Sequence, residues 1–201
     1  MTPAPDTGRS ARQPASGRGR LVVLSGPSGV GKGTVLAEIR ASHPQIWVSV
    51  SATTRAPRAG EVDGEQYRFV DRSRFDQMVE AGDFLEHATY ADNCYGTPRR
   101  PVEERLSRGE PALVEVELQG ARQVRASMPD AFLIFLAPPS WDELVRRLVG
   151  RGTEDEATVA RRLAIAKDEL SAEGEFDAVV VNGDVRTAAG RVVTLSLNPP
   201  G

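Results

Sequence analysis

The chain has 201 residues, 40% of them apolar, with a formal net charge of −3 and a single cysteine. That length and composition suit one compact α/β domain whose core needs no disulfide staples. The charge excludes a basic field for sequence-blind nucleic-acid binding, one cysteine excludes an internal disulfide or a cysteine-rich zinc site, and no apolar run reaches the length of a membrane span.

Residues 1–19 are mostly Pro, Gly, Ser, Ala and Arg with almost nothing to bury, and they predict a disordered tail. The stretch lacks the apolar centre of a secretory signal, and with the lone Cys94 this points to the cytoplasm. Leu21–Ser25 is a short continuous apolar run, the pattern of a strand buried on both faces. Glycines follow, and then a helical pattern over Val35–Arg40. Strand, glycine-rich turn and helix open a doubly wound α/β domain.

Trp47–Ser51 alternates and predicts a strand. Residues 52–97 read as an inserted α+β lobe, with strand pieces at Tyr67–Val70 and Phe84–Ala88 around a helix near Ser73–Ala81 that Gly82 would stop. Ala112–Glu117 and Ala131–Ala137 predict further core strands. Within the first, Glu115 and Glu117 alternate with Val114 and Val116 and would share one face at the strand's end. Ser140 three before Glu143, and Thr153 three before Glu156, are capping boxes that open two helices. Ala178–Val181 predicts a last buried strand, and Gly190 with the closing Pro199-Pro200-Gly201 predicts a weak or short final helix.

The strongest motif is Gly26-Pro27-Ser28-Gly29-Val30-Gly31-Lys32-Gly33-Thr34. It carries the G-x-x-x-x-G-K spacing directly after a buried strand and before a helix, the context of a phosphate-binding loop. Such a loop turns successive N–H groups toward one oxyanion, adds the positive end of the helix dipole, and sets a lysine on the outer phosphates. The residue after Lys32 is Gly33, so the metal-binding hydroxyl falls one position later, at Thr34. Arg55 and Arg58, fixed by Pro57 and flanked by hydroxyls, can clamp a second phosphate; their spacing alone reads equally as a solvated charged loop.

At this point the chain resembles the guanylate kinase family, from about Leu21 to Asp184. The resemblance rests on GPSGVGKGT, VSATTRAPRAGEVDGEQY, FLEHATY, NCYGTP, ELQGARQV, APPS, GRGTE and VVVNGD, in that order. It implies a P-loop NTPase-type parallel sheet flanked by helices, with a core (20–51, 98–140 and 171–201), a GMP-binding lobe (about 52–97) and a small helical lid (about 141–170). It implies transfer of the γ-phosphoryl group of ATP to GMP, with Mg²⁺, and implies no nucleic-acid or membrane partner. The resemblance assigns ATP to Gly26–Thr34, Arg151, Asn182 and Asp184. It assigns the GMP phosphate to Arg55, Arg58, Tyr67 and Tyr95, and guanine to Ser51, Glu86 and Thr97, with Glu117 nearby. Thr34 and Glu115 are the implied metal-side residues, and Lys32, Arg55, Arg147 and Arg162 the implied catalytic set. Family members often carry aspartates where this chain has Glu115 and Glu117. Two other readings compete: a catalytically silent binding module built on the same fold, and a related small kinase for another phosphorylated substrate. The intact phosphate loop weighs against the first, and the Ser51–Tyr67 segment with Glu86 against the second.

Overall fold

The structure is a computed structural model that describes residues 17–90, 92–149 and 156–198. In chain order the core opens with β1 (Leu21–Ser25), α1 (Lys32–Ser42) and β2 (Trp47–Val48). Next come β3 (Ala52–Thr53), β4 (Arg68–Phe69), α2 (Arg72–Glu80), β5 (Phe84–Tyr90) and β6 (Asn93–Pro98). The chain continues through α3 (Arg99–Ser107), β7 (Ala112–Glu115), α4 (Leu118–Ser127) and β8 (Phe132–Ala137). It closes with α5 (Trp141–Val149), α6 (Glu156–Ser171), a 3₁₀ turn (Glu173–Glu175), β9 (Ala178–Val181) and α7 (Val185–Leu197).

The first sheet is wholly parallel, in the order β2-β7-β1-β8-β9. Its central strand explains the apolar run: Val22 and Leu24 pack under α1, α5 and α7, while Leu21 and Val23 pack under α3 and α4. A strand covered on both faces is apolar on both, and here only Ser25 at its end is a buried polar residue. The second sheet, in the order β4-β3-β6-β5, is mostly antiparallel and encloses its own small core of Ala52, Phe75, Phe84 and Cys94. Phe75 of α2 stacks on Phe84 of β5 with ring centres 4.7 Å apart.

Four predicted elements differ from what is observed. The strand expected over Trp47–Ser51 pairs with β7 only at Trp47 and Val48. The chain then leaves the first sheet, and Ala52 pairs with Gly96 in the second, so one alternating segment is divided between two sheets. The strand expected to reach Glu117 stops at Glu115, and Glu117 becomes the residue that precedes α4. β9 is an edge strand: Val180 is buried, but Val179 and Val181 are 43% and 55% exposed because no helix covers that face at the sheet's edge. The final helix is neither weak nor short. α7 runs for 13 residues, is capped by Asp184, and buries Ala188, Ala189, Val192, Val193 and Leu195. Gly190 costs it about 1 kcal/mol of helix propensity, and this packed apolar face outweighs that loss.

The expected lid helices are anchored. Leu144 and Leu148 of α5 and Leu163, Ala166 and Leu170 of α6 all join the core beneath the first sheet. Half of the first capping box forms, with the Glu143 N–H donating to the Ser140 hydroxyl at 3.2 Å, while the Glu143 carboxylate pairs with Arg146 and Arg147. Thr153 of the second lies outside the described residues, as do residues 1–16 of the expected tail. Because Phe75 fills so small a core, Phe75→Ala should cost about 3–5 kcal/mol in urea unfolding; an unchanged midpoint would mean that this core does not hold the second sheet together.

Candidate active site

β1 delivers the chain into the phosphate loop at the carboxyl edge of the parallel sheet, where an α/β domain of this topology binds its ligands. The loop's shape is set from three directions. The Val30 carbonyl accepts from Asn182 Nδ2 at 2.8 Å and from Arg147 Nη1 at 3.2 Å. Gly31 has φ 97°, a left-handed conformation, and a side chain there would also meet Asn182 Nδ2 at 2.7 Å. Behind it α1 begins with no side-chain cap, so its first N–H groups are left for a ligand. The Ser28 N–H donates to Glu169 Oε2 of α6 at 3.0 Å.

Lys32 is only 7% exposed, and its ammonium donates to the Gly26 carbonyl at 2.7 Å and to Glu117 Oε2 at 3.3 Å. Burial pulls its pKa down, but Glu117, Glu115 and Glu169 together outweigh burial and raise it, so the group is a cation. Burial in turn pushes the carboxyls of Glu115 and Glu169 up, against the opposing pull of Lys32. The loop, Glu115, Glu117, Arg147, Arg162 and Asn182 line a cleft of about 580 Å³. Exposed Thr34, at the start of α1, lies in its wall.

A second cationic group stands on the other sheet. Arg55 donates to the Ala56 carbonyl at 2.7 Å and to Glu61 Oε1 at 2.9 Å, and its guanidinium lies 5.4 Å from the centre of the Tyr67 ring. Glu61 Oε2 accepts from the Arg58 N–H at 2.7 Å, so one carboxylate folds the whole Arg55–Glu61 loop while the Arg58 side chain stays exposed. Tyr67 meets Tyr95 edge-on at 6.0 Å. Burial, then Glu115, push the Tyr67 phenol up to about 12. Glu115 and Glu117, which raise the Lys32 pKa, also act to raise that of Tyr67. Deeper in the second sheet, the 7% exposed Glu86 accepts at Oε1 from the Thr97 N–H at 3.0 Å and the Thr97 hydroxyl at 2.7 Å. Burial holds its carboxyl above the ordinary range despite those bonds.

A family model described as guanylate kinase matches residues 18–195. The chain belongs to the guanylate kinase family. It is 63% identical over 177 residues to a guanylate kinase of Frankia casuarinae, covering 88% of this chain and 96% of that protein. It is 58% identical over 188 residues to one of Streptomyces kasugaensis, covering 94% and 92%. The crystal structure of guanylate kinase from Anaplasma phagocytophilum superposes with a TM-score of 0.71 at 35% identity, covering 89% of this chain and 85% of that one.

Within this family fold, the residues singled out in the sequence fall into distinct settings. Gly26–Thr34, Glu115, Glu117, Arg147, Arg162 and Asn182 come together around the phosphate loop. Arg55, Tyr67 and Tyr95 come together beside the second sheet, where the GMP-binding lobe is expected, with half-buried Ser51 joined to β4 through its carbonyl, which accepts from the Arg68 N–H. Glu117, expected toward that lobe, is paired with Lys32. Asp184 uses one carboxylate oxygen to cap α7, accepting from the Thr187 N–H at 2.8 Å and its hydroxyl at 2.7 Å. Arg151 lies outside the described residues. Sequence reasoning missed Glu61 and Glu169. Glu61 sat six residues past Arg55 inside the quoted motif, whereas Glu169, 141 residues from Ser28, left no local signal.

Tyr67 makes this assembly testable through pH. Its phenol ionises near 10 in the unfolded chain and near 12 in the folded one. Over that window the unfolded chain holds fewer protons, so stability falls as pH rises. The wild type should therefore lose more stability than Tyr67→Phe between pH 10 and 12 in denaturant titrations; parallel profiles would show that folding does not raise the Tyr67 phenol.

Proposed function

We propose that this chain transfers the γ-phosphoryl group of ATP to GMP, giving ADP and GDP, and uses dGMP in the same way. The observation that carries the reading is the presence of two cationic groups, the Lys32 loop in its cleft and Arg55 with Tyr67 and Tyr95 beside the second sheet. A phosphoryl transfer between two nucleotides needs two anion cradles facing each other, and a hydrolase needs only one.

In this reading the first sheet with its helices is the core, residues 52–97 form the GMP lobe, and the segment from α5 to α6 forms the lid. Gly26–Thr34 cradle the ATP phosphates, and Arg151, Asn182 and Asp184 border the rest of ATP. Arg55, Arg58, Tyr67 and Tyr95 take the GMP phosphate, and Ser51, Glu86 and Thr97 meet guanine, with Glu117 nearby. Guanine presents two adjacent donors, N1–H and the exocyclic amine, and a carboxylate accepts both. Adenine offers an acceptor at N1 and would face Glu86 lone pair to lone pair, which a buried reader rejects strongly.

The second pKa of a phosphate monoester lies near 6, so GMP arrives as its own nucleophile and no general base is required. A GMP phosphate oxygen forms the new bond to the γ-phosphorus as the bond to the β–γ bridging oxygen breaks, and ADP leaves with the electron pair. Lys32, Arg55, Arg147 and Arg162 hold the two anions in line against their mutual repulsion and stabilise the charge that spreads in the transition state. Thr34 and Glu115 would hold Mg²⁺. One hydroxyl and one carboxylate, with no cluster of three acidic, His or Cys side chains among the described residues, suit an ion held mainly by water and phosphates. When bound, Mg²⁺ neutralises charge on the β- and γ-phosphates. The unpaired, buried Cys94 supports a place in the reducing cytoplasm, in purine nucleotide metabolism.

Side-by-side assays with ATP and GMP, dGMP, AMP, UMP or a ribose phosphate should yield product with the first two only. Lys32→Ala should cut kcat by about 10²–10³-fold with an unchanged circular dichroism spectrum. Failure of the wild type to make GDP, or near-normal turnover by the variant, would overturn the reading.

A further inference from the structure

We infer that Gly120 and Gln123 of α4 are positioning residues for the Glu86 carboxylate, and so for the choice of base; this rests on the proposed reading of Glu86 as the guanine contact. Gly120 is the third residue of α4, and nothing in its backbone demands glycine, because its φ is not in the left-handed region. Glycine inside a helix costs about 1 kcal/mol against alanine. What its missing side chain permits is contact. A Cβ on Gly120 would stand 2.5 Å from Glu86 Oε2 and 3.0 Å from both Glu86 Cδ and Val116 Cβ, so the carboxylate is the atom group closest to where that side chain would be.

The other oxygen is held from the opposite direction. Both hydrogen bonds that Glu86 accepts go to Oε1, from the N–H and hydroxyl of Thr97 on β6. The carboxylate is therefore clamped between β6 and α4, with Oε2 turned toward the helix that carries no side chain at that point.

Gln123, one turn further along α4, fixes the backbone beside Glu86. Its Oε1 accepts from the His87 N–H at 3.2 Å and its Nε2 donates to the His87 carbonyl at 3.0 Å. β5 is the edge of the second sheet, paired on its other side with β6, where Glu86 opposes Thr97 and His87 opposes Gly96. The Gln123 amide thus supplies the donor and acceptor that a neighbouring strand would have supplied, at the residue next to Glu86. α4 itself is rooted in the core by Ala121 and Val124. It begins just after Glu117, the partner of Lys32. A single rigid helix sets the carboxylate's distance from the core and from the phosphate loop.

The test uses the full-length chain. KM and kcat for GMP, IMP and ATP are measured for Gly120→Ala, Gln123→Met, Glu86→Ala and the doubles with Glu86→Ala. IMP lacks the exocyclic amine, so the preference for GMP over IMP reports the carboxylate contact itself. Gly120→Ala should raise the GMP KM about tenfold and Gln123→Met about threefold, both losing preference over IMP while the ATP KM stays within about twofold. Neither should cost anything further once Glu86 is alanine, as expected of groups acting through it. The inference fails if both variants keep the wild-type GMP KM and preference, or if their costs add in full to that of Glu86→Ala. If Gly120→Ala does not fold, Gln123→Met and its double decide alone. A wild type that makes no GDP overturns the proposed function instead, whereas an active wild type with indifferent variants overturns only this inference.

Discussion

A buried ammonium is tolerable only where negative or carbonyl oxygens replace its water, and Lys32 meets that condition in a way that organises its surroundings. Its Nζ lies against the Gly26 carbonyl and Glu117, with Glu115 and Glu169 close enough to raise its pKa against the effect of burial. The carbonyl comes from the loop's first residue, Glu115 from the end of β7, Glu117 from the start of α4, and Glu169 from α6. Placing one cation therefore requires the sheet edge, the helix on one face and the helix on the other to meet at a single point.

The same arrangement leaves the cleft electrostatically divided. Lys32, Arg147 and Arg162 line it together with Glu115 and Glu117, and Lys32 is paired directly with Glu117. Arg147 is tied to the Val30 and Asn182 carbonyls and to Glu143. Arg147 consequently does two things at once: it presents charge to the cleft and it braces the loop from outside. Its root in α5, whose Leu144 and Leu148 are core residues, makes that brace rigid.

The second sheet follows a different logic. Its core is small, and its polar side chains are held mostly by partners from within the same sheet and its loops: Glu61 for Arg55, and Thr97 and Tyr95 of β6 for Glu86 and Tyr67. Its strongest tie to the core is α4, which closes the exposed edge of β5 through Gln123 and lets the Glu86 carboxylate rest on Gly120. Glu86 of the second sheet and Lys32 of the first are thereby referred to one common element, α4 and the residue before it.

The sequence by itself determined what is local. A run buried on both faces must be continuously apolar, so β1 was legible. A loop that curls around an anion needs glycines at set intervals before a helix, so Gly26–Thr34 was legible as well. The ordered family motifs carried Arg55, Tyr67 and Glu86, residues that composition and spacing alone would have left as solvated charges or ordinary strand positions. Tertiary structure decided where the chain leaves one sheet for another after Val48, that Glu117 heads a helix and turns to Lys32, and that α7 is firmly packed despite Gly190. It also decided that Arg147 and Asn182 share the Val30 carbonyl from 117 and 152 residues away. These outcomes rest on contacts between segments far apart in the chain, and such contacts leave no period and no local composition from which to read them.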